Sequence, residues 1–126
     1  MLKPLLPLAA LLSVSAAQAQ ENVPPVEVPP LTLEQQTHVR CALAFAVVAA
    51  AQSEGEEWVA GYPAMDVRGE EFFVRTMAKI MEDERFTRAV VNQLIQQESD
   101  PIREGGRDKV QDMMPPCLAL LDASGI

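Results

Sequence analysis

The chain has 126 residues, of which 48% are hydrophobic and 22% are charged, and its formal net charge is -8. This length suits one domain and leaves no room for the separate cofactor and substrate domains of a two-lobed enzyme. The hydrophobic fraction excludes wholesale disorder, and the acidic balance argues against binding to nucleic acid or to an anionic membrane surface, because both need clustered Lys and Arg.

Residues 1–19 have the three parts of a secretory signal peptide. Lys3 supplies the positive charge, an apolar run follows, and the sequence AQA at 17–19 provides the small residues that signal peptidase requires. We therefore expect cleavage between Ala19 and Gln20 and export to the periplasm, with secretion to the outside as the alternative. An uncleaved membrane anchor is disfavoured, because the apolar run is about half of the roughly 20 residues that a spanning helix needs.

The expected mature chain starts with a Pro-rich tether over residues 20–31, which contain prolines at positions 24, 25, 29 and 30. Each proline fixes φ and removes a backbone donor, so an extended segment is expected rather than a helix. A docking ligand for a groove is the alternative interpretation of this segment. Residues 32–126 are then expected to form a single helical domain.

The first predicted helix runs from Leu33 to about Gln52. Thr32 and Gln35 have the spacing of a capping box, and Gly55 marks the end. All eleven residues from 41 to 51 are apolar. A helix that is apolar all round belongs in the middle of a bundle.

The second predicted helix covers about Val67 to Glu84 and is expected to have Asp66 as its N-cap. Its apolar side contains Phe73, Met77, Ile80 and Met81. Its charged side contains Glu71, Arg75, Lys79 and Asp83, which can form two pairs spaced four residues apart. Phe72 falls beside the apolar stripe, so it is expected to be exposed or to contact a partner. The candidate partner surface comprises Phe72, Phe73, Met77 and Met81. Ordinary packing of these side chains in the core is the other interpretation.

The third predicted helix begins after the N-cap Thr87 and covers Arg88 to about Ser99, with Val90, Val91, Leu94 and Ile95 turned inward. Glu98 projects onto this apolar stripe, so either the helix frays there or Glu98 is a partly buried carboxylate. Fraying is favoured, because an ionised Glu is seldom buried without a partner.

The remaining segment is divided by its glycines and prolines. Asp100-Pro101 is expected to start a new turn, Gly105-Gly106 to break it, and residues 107–114 to form a short helix. Pro116 suits the first position of a last helical piece, in which Leu118, Leu120 and Leu121 are available for the core.

Cys41 and Cys117 are the two cysteines of the chain. In an exported protein an even cysteine count indicates a disulfide, here one that closes a loop of more than seventy residues. A redox-active pair and a metal site that includes His38 are the alternatives. Redox pairs usually lie close in sequence, and a metal site would lose its thiols to oxidation, so a structural disulfide is preferred.

Catalytic motifs do not emerge from the sequence. It contains no HExxH, no GxSxG and no glycine-rich phosphate loop. Its single histidine has no evident serine or cysteine nucleophile to pair with, and the acidic runs are typical of solvated loops and helix ends. We therefore expect a protein without catalytic activity, cofactor or metal.

Three segments carry a resemblance to known proteins: RCALAFAVVAAAQ, GYPAMDVRGEEFFVRTMAKIM and MPPCLALLDASGI. In order and spacing they resemble uncharacterised small exported two-cysteine proteins of Gram-negative bacteria, which implies a helical fold and a periplasmic location but no activity. A looser similarity, in size and architecture alone, is to small helical periplasmic acid-stress chaperones.

The sequence thus predicts an all-α bundle of three to four helices with one long-range disulfide, preceded by a Pro-rich tether. The expected role is binding of a protein or cell-envelope component, without a transmembrane anchor after cleavage. An acid-activated periplasmic chaperone is the alternative. On that view, protonation of the carboxylates exposes an apolar Met and Phe surface.

Overall fold

A computed structural model describes residues 25–126. The signal peptide, its cleavage site and residues 20–24 of the tether lie outside the described residues. The elements, in chain order, are α1 (Leu33–Ser53), a 3-10 turn (Glu57–Val59), α2 (Arg68–Glu84) and α3 (Arg88–Ala123). No strand occurs among these residues, so the all-α prediction is confirmed.

The helix α1 occupies the centre of the fold and packs against both α2 and α3. Its capping box is formed as predicted: the Thr32 amide donates to Gln35 Oε1 at 2.9 Å, and the Gln35 amide donates to Thr32 Oγ1 at 3.1 Å. The helix ends just before Gly55, whose φ of 70° is a left-handed conformation that favours glycine. Most of the apolar run from 41 to 51 is buried, but Val47 is exposed, so α1 is not covered on all sides over its last turns.

The helix α2 runs antiparallel to α1. Gly69 lies near its start and packs against Phe45, whereas at the other end Gln35 Nε2 donates to Glu84 Oε1 at 2.7 Å. The approach at Gly69 is close, because a Cβ there would lie 3.1 Å from the Phe45 Cβ. Glycine at this position therefore sets the distance between the two helices.

The start of α2 differs from the prediction that Asp66 is its cap. Val67 precedes the helix in an αR conformation, and no side chain caps it. The helical hydrogen bonds instead begin one turn earlier, since the Gly69 amide donates to the Met65 carbonyl at 3.1 Å. Asp66 is not needed as a cap because the main chain already satisfies this donor.

The candidate partner surface on α2 is not an exposed surface, and the expected exposure of Phe72 is wrong. Phe72 is only 3% exposed and meets Phe45 edge-on, with ring centroids 5.2 Å apart. Met77 is also buried, whereas Phe73 and Met81 are half-buried. The reason is the position of Phe72 around the helix axis. Phe72 follows Gly69 by three residues and so lies on the face of α2 that packs against α1.

The helix α3 begins at the predicted cap, where the Val90 amide donates to Thr87 Oγ1 at 3.3 Å. It does not fray at Glu98, whose carboxylate is 12% exposed and accepts from Arg40 Nε at 2.7 Å. Gln36 Nε2 donates to the same carboxylate at 3.0 Å. The fraying prediction is therefore wrong, and Glu98 is the partly buried, paired carboxylate that was its alternative.

The prolines of α3 do not divide it as predicted. Pro101 and Pro116 lie inside helical turns rather than at their starts, and both are exposed. A proline cannot donate to the carbonyl four residues earlier, but on the solvent side of a helix water can hydrogen-bond to that carbonyl. The helix is interrupted instead at Gly106, as predicted, with φ 62° and ψ -150°, a region that essentially only glycine adopts.

The chain reverses direction at Gly106. Glu98 pairs with Arg40, and Cys117 is bonded to the next residue of α1, Cys41, with the two Cα atoms 5.2 Å apart. A straight helix would separate positions 98 and 117 by about 28 Å. The two parts of α3, residues 88–105 and 107–123, therefore lie on α1 side by side, and with α2 they surround it.

The predicted disulfide between Cys41 and Cys117 is confirmed. It joins residues 76 positions apart, and both cysteines are 3% exposed. Because the sulfurs are buried, the pair is built to hold the second part of α3 on α1 rather than to exchange with external thiols.

Candidate binding groove

A groove separates the first turns of α1 from the second half of α2, and residues 124–126 close one side of it. We call it the α1–α2 groove, and it encloses about 190 Å³. Its lining comprises Glu34, Gln35, His38, Phe72, Arg75, Thr76, Lys79, Ile80, Asp83, Ser124 and Ile126.

The floor of the groove comes from successive turns of α2. Phe72 and Ile80 are buried apolar side chains, and Thr76 between them is only 8% exposed. Thr76 Oγ1 makes no hydrogen bond within residues 25–126, although no fully buried side-chain oxygen there lacks a partner. Thr76 is thus a polar residue in the otherwise apolar floor of the groove.

His38 forms the α1 wall, and its ring is held in one orientation. The ring lies parallel to Phe72, with the centroids 5.9 Å apart, and Nδ1 is 2.8 Å from the Glu34 carbonyl oxygen. A carbonyl can only accept, so Nδ1 must be the donor. Nε2 makes no hydrogen bond to any residue from 25 to 126 and is the ring nitrogen left for a ligand.

The rim of the groove carries charges that are already paired along α2. Lys79 Nζ lies 2.9 Å from Asp83, and Arg75 pairs with Glu71. The hydrogen bond from Lys79 to Asp83 raises the pKa of the lysine above its ordinary value. Both pairs are exposed and have the predicted spacing of four residues, so each contributes little to stability.

The remaining wall depends on contacts between α2 and the C-terminal residues, from the last turn of α3 to Ile126. Arg68 Nε donates to the main-chain oxygen of Ile126 at 3.0 Å, and its guanidinium lies 3.2 Å from Asp122. The disulfide fixes the same segment a few residues earlier, at Cys117. The groove is thus assembled from three parts of the chain that are distant in sequence.

Two other concavities flank the loop between α1 and α2. Gln52 orders this loop, since its Nε2 donates to the Pro63 carbonyl at 2.9 Å and its Oε1 accepts from the Met65 amide at 2.9 Å. The half-buried Phe73 lines one of these concavities. The concavity lined by Ser53 and Tyr62 is formed mainly by polar and small residues of the loop, whereas the α1–α2 groove combines an apolar floor with a histidine.

Sequence reasoning missed this site because it placed Phe72 beside the apolar stripe, as an exposed or partner-contacting residue, and considered His38 only as a ligand of an alternative metal site. The spacing of Phe72, Thr76 and Ile80, each four residues from the next, was the signal that could have indicated a common face. Nothing in the sequence indicated that His38 would lie against that face.

Within residues 25–126, no group of three or more His, Cys, Asp or Glu side chains is arranged to hold a metal ion. In the same residues, no helix has the length and apolar character needed to cross a membrane. Comparison with known proteins gives no relative from which to transfer a function: no family model matches the sequence, and no curated protein or solved structure matches it.

Proposed function

We propose that this chain is an exported, non-enzymatic binding protein that holds part of a protein partner in the α1–α2 groove. The observation that carries the proposal is the composition of the groove. Its floor is apolar, and Thr76 Oγ1 and His38 Nε2 have no hydrogen-bonding partner among residues 25–126. Binding sites commonly combine an apolar surface with a few polar atoms that orient the ligand.

Export is supported by two independent features. The first 19 residues have the pattern of a cleavable signal peptide. The disulfide between Cys41 and Cys117 fits an oxidising compartment such as the periplasm, since thiols are kept reduced in the cytosol.

A binding role fits His38 better than catalysis does. In catalytic triads a carboxylate orients the histidine, and the histidine in turn contacts a nucleophile. Among residues 25–126, His38 hydrogen-bonds to the Glu34 carbonyl and to no carboxylate or nucleophile.

The acid-activated chaperone has less support. It needs Met and Phe side chains to become exposed at low pH, yet Met65, Phe72 and Met114 are buried in the core. Acid would first have to open the fold. Binding of an apolar dye between pH 7 and pH 2 measures such an opening directly.

The proposal is tested by capturing partners from a periplasmic extract with a variant that fills the groove. Lys79→Trp places a large ring on the rim, and Lys109→Trp makes the same change at an exposed position of α3 outside the groove. A partner of the groove is retained by the unmodified protein and by Lys109→Trp but lost from Lys79→Trp. The groove is rejected as the binding site when every retained protein binds both variants equally well.

A further inference from the structure

We infer that residues 107–126 are a segment that two copies of this chain exchange at high protein concentration. In the exchanged dimer, the segment of each copy packs on α1 of the other copy, and Cys117 of each copy is bonded to Cys41 of the other. The partner is thus a second copy of this chain. The inference follows from the glycine hinge in α3 and from the way in which the segment is held on α1.

The kink in α3 requires glycine at both 105 and 106. Gly106 has φ 62° and ψ -150°, a region that essentially only glycine adopts. A Cβ at Gly105 would lie 2.5 Å from the Lys109 Cβ, which is closer than real Cβ atoms approach. A straight helix has no such requirement and is favoured by alanine over glycine at these positions. Positions 102–114 contain no proline, so a continuous helix would have every backbone donor there.

A straight α3 is incompatible with the fold of a single copy. It would place positions 98 and 117 about 28 Å apart. In the kinked form both positions are bonded to neighbouring residues of α1, Arg40 and Cys41. Straightening therefore removes residues 107–126 from their own α1 and leaves its surface open to the same segment of a second copy. Such an exchange of identical elements is a low-cost route to a dimer.

The exchanged segment is held by one apolar face. Val110, Met114, Cys117 and Leu121 are buried, and their spacings of four, three and four residues place them on one side of a helix. The helix α3 packs mainly against α1 rather than against α2. Docking on a second copy buries the same side chains and forms the same disulfide, so the two forms differ mainly at the hinge.

Exchange competes with docking within one chain. A short connection gives the segment an effective concentration in the millimolar range beside its own α1, so exchange needs protein concentrations that approach this range. Short hinges, such as the two glycines of α3, are the connections that favour exchange. Residues 124–126 belong to the exchanged segment, so in the dimer they would line the α1–α2 groove of the other copy.

The first test changes the hinge. The double variant Gly105→Ala, Gly106→Ala favours the straight helix, so after oxidative refolding at about 10 µM it should be a disulfide-linked dimer, whereas the unmodified protein is a monomer at that concentration. Light scattering gives the mass, and non-reducing electrophoresis shows the link. Gly61→Ala makes the same substitution at a loop glycine with open space around it and should remain monomeric. A helical monomer of the double variant with its disulfide inside one chain overturns the inference.

The second test uses the unmodified sequence, so it decides the matter even when the double variant does not fold. Equal amounts of isotopically labelled and unlabelled protein are reduced, unfolded and refolded together with oxidised glutathione. Each disulfide forms as two thiols give up two electrons and two protons to the glutathione disulfide, which becomes two glutathione thiols.

Mass spectrometry of the digested products then shows which chains the bonds join. After refolding at about 1 mM protein, a helical dimer should contain peptides in which a labelled Cys41 is bonded to an unlabelled Cys117, and at about 1 µM such pairs should be more than about a hundredfold rarer. The inference is overturned when mixed pairs are absent at the higher concentration, or when they occur only in aggregates without helical circular dichroism.

Discussion

Reduction of the disulfide should cost a large part of the stability of this fold. The bond between Cys41 and Cys117 joins residues 76 positions apart. A cross-link over a loop of that length restricts the unfolded chain by about 4.5 kcal/mol at 25 °C in the chain-entropy treatment. Domains of this size have a total free energy of unfolding of about 5–15 kcal/mol, so the loss is between about a third and nearly all of it. The melting temperature should fall by roughly 20–35 °C, since 1 kcal/mol corresponds to about 4–8 °C.

The measurement is denaturant unfolding of the oxidised protein, the reduced protein and the double variant Cys41→Ser, Cys117→Ser, followed by helical circular dichroism. The reduced protein keeps both sulfur atoms, so its comparison with the double variant separates the cross-link from changes in packing. The denaturant dependence should also steepen without the bond, because the unfolded chain becomes less compact. A loss below about 2 kcal/mol in the reduced protein would refute the reasoning from loop length.

Three further substitutions probe the positions that shape the bundle. Gly106→Ala should cost about 1–3 kcal/mol in the free energy of unfolding, because alanine is strained at φ 62° and ψ -150°; a shift of the denaturation midpoint within error contradicts this. Glu98→Gln should cost about 1 kcal/mol by the same assay, because it weakens the ionic hydrogen bond to the half-exposed Arg40, and high salt should shrink the difference if charge is the cause. Gly69→Ala should cost about 1–2 kcal/mol despite the better helix propensity of alanine, because the new Cβ would lie 3.1 Å from the Phe45 Cβ; a stabilised variant would show that the helices can separate freely.

The parts of the fold that the sequence predicts correctly depend on interactions that are local in sequence or that have only one possible partner. The capping box of Thr32 and Gln35 involves two residues of a single turn, so the sequence pattern predicts it without tertiary information. The disulfide was predictable because two cysteines in an exported chain allow only one intramolecular pairing. The central position of α1 followed from its apolar run, whose residues 41–45 are all buried, although Val47 is exposed.

The wrong predictions concern features that tertiary packing decides. Pro101 was expected to start a new turn, but helix-breaking by proline is a matter of a few kcal/mol that packing of the neighbouring turns can offset. The helix was expected to fray at Glu98 because an ionised Glu is seldom buried without a partner. The partners, Arg40 and Gln36, are about sixty residues away in sequence, so the local pattern did not indicate them. Phe72 and Phe73 are adjacent and chemically identical, so only the crossing point with α1 at Gly69 determines which ring is buried.

The groove depends on the disulfide through the residues that follow α3. Residues 124–126 form one wall of the groove, and Cys117 is the covalent attachment that keeps this segment near α1. Noncovalent contacts hold the same end of the chain. Leu121 of α3 is fully buried, Ile126 packs against the core, and Arg68 pairs with Asp122 at the surface, where an ion pair contributes at most about 1 kcal/mol. The cross-link adds a covalent attachment at Cys117. The cross-link therefore does more than raise global stability, because it also keeps the wall of the groove in place. It follows that a chain whose thiols are still reduced should bind a partner less tightly than the oxidised protein.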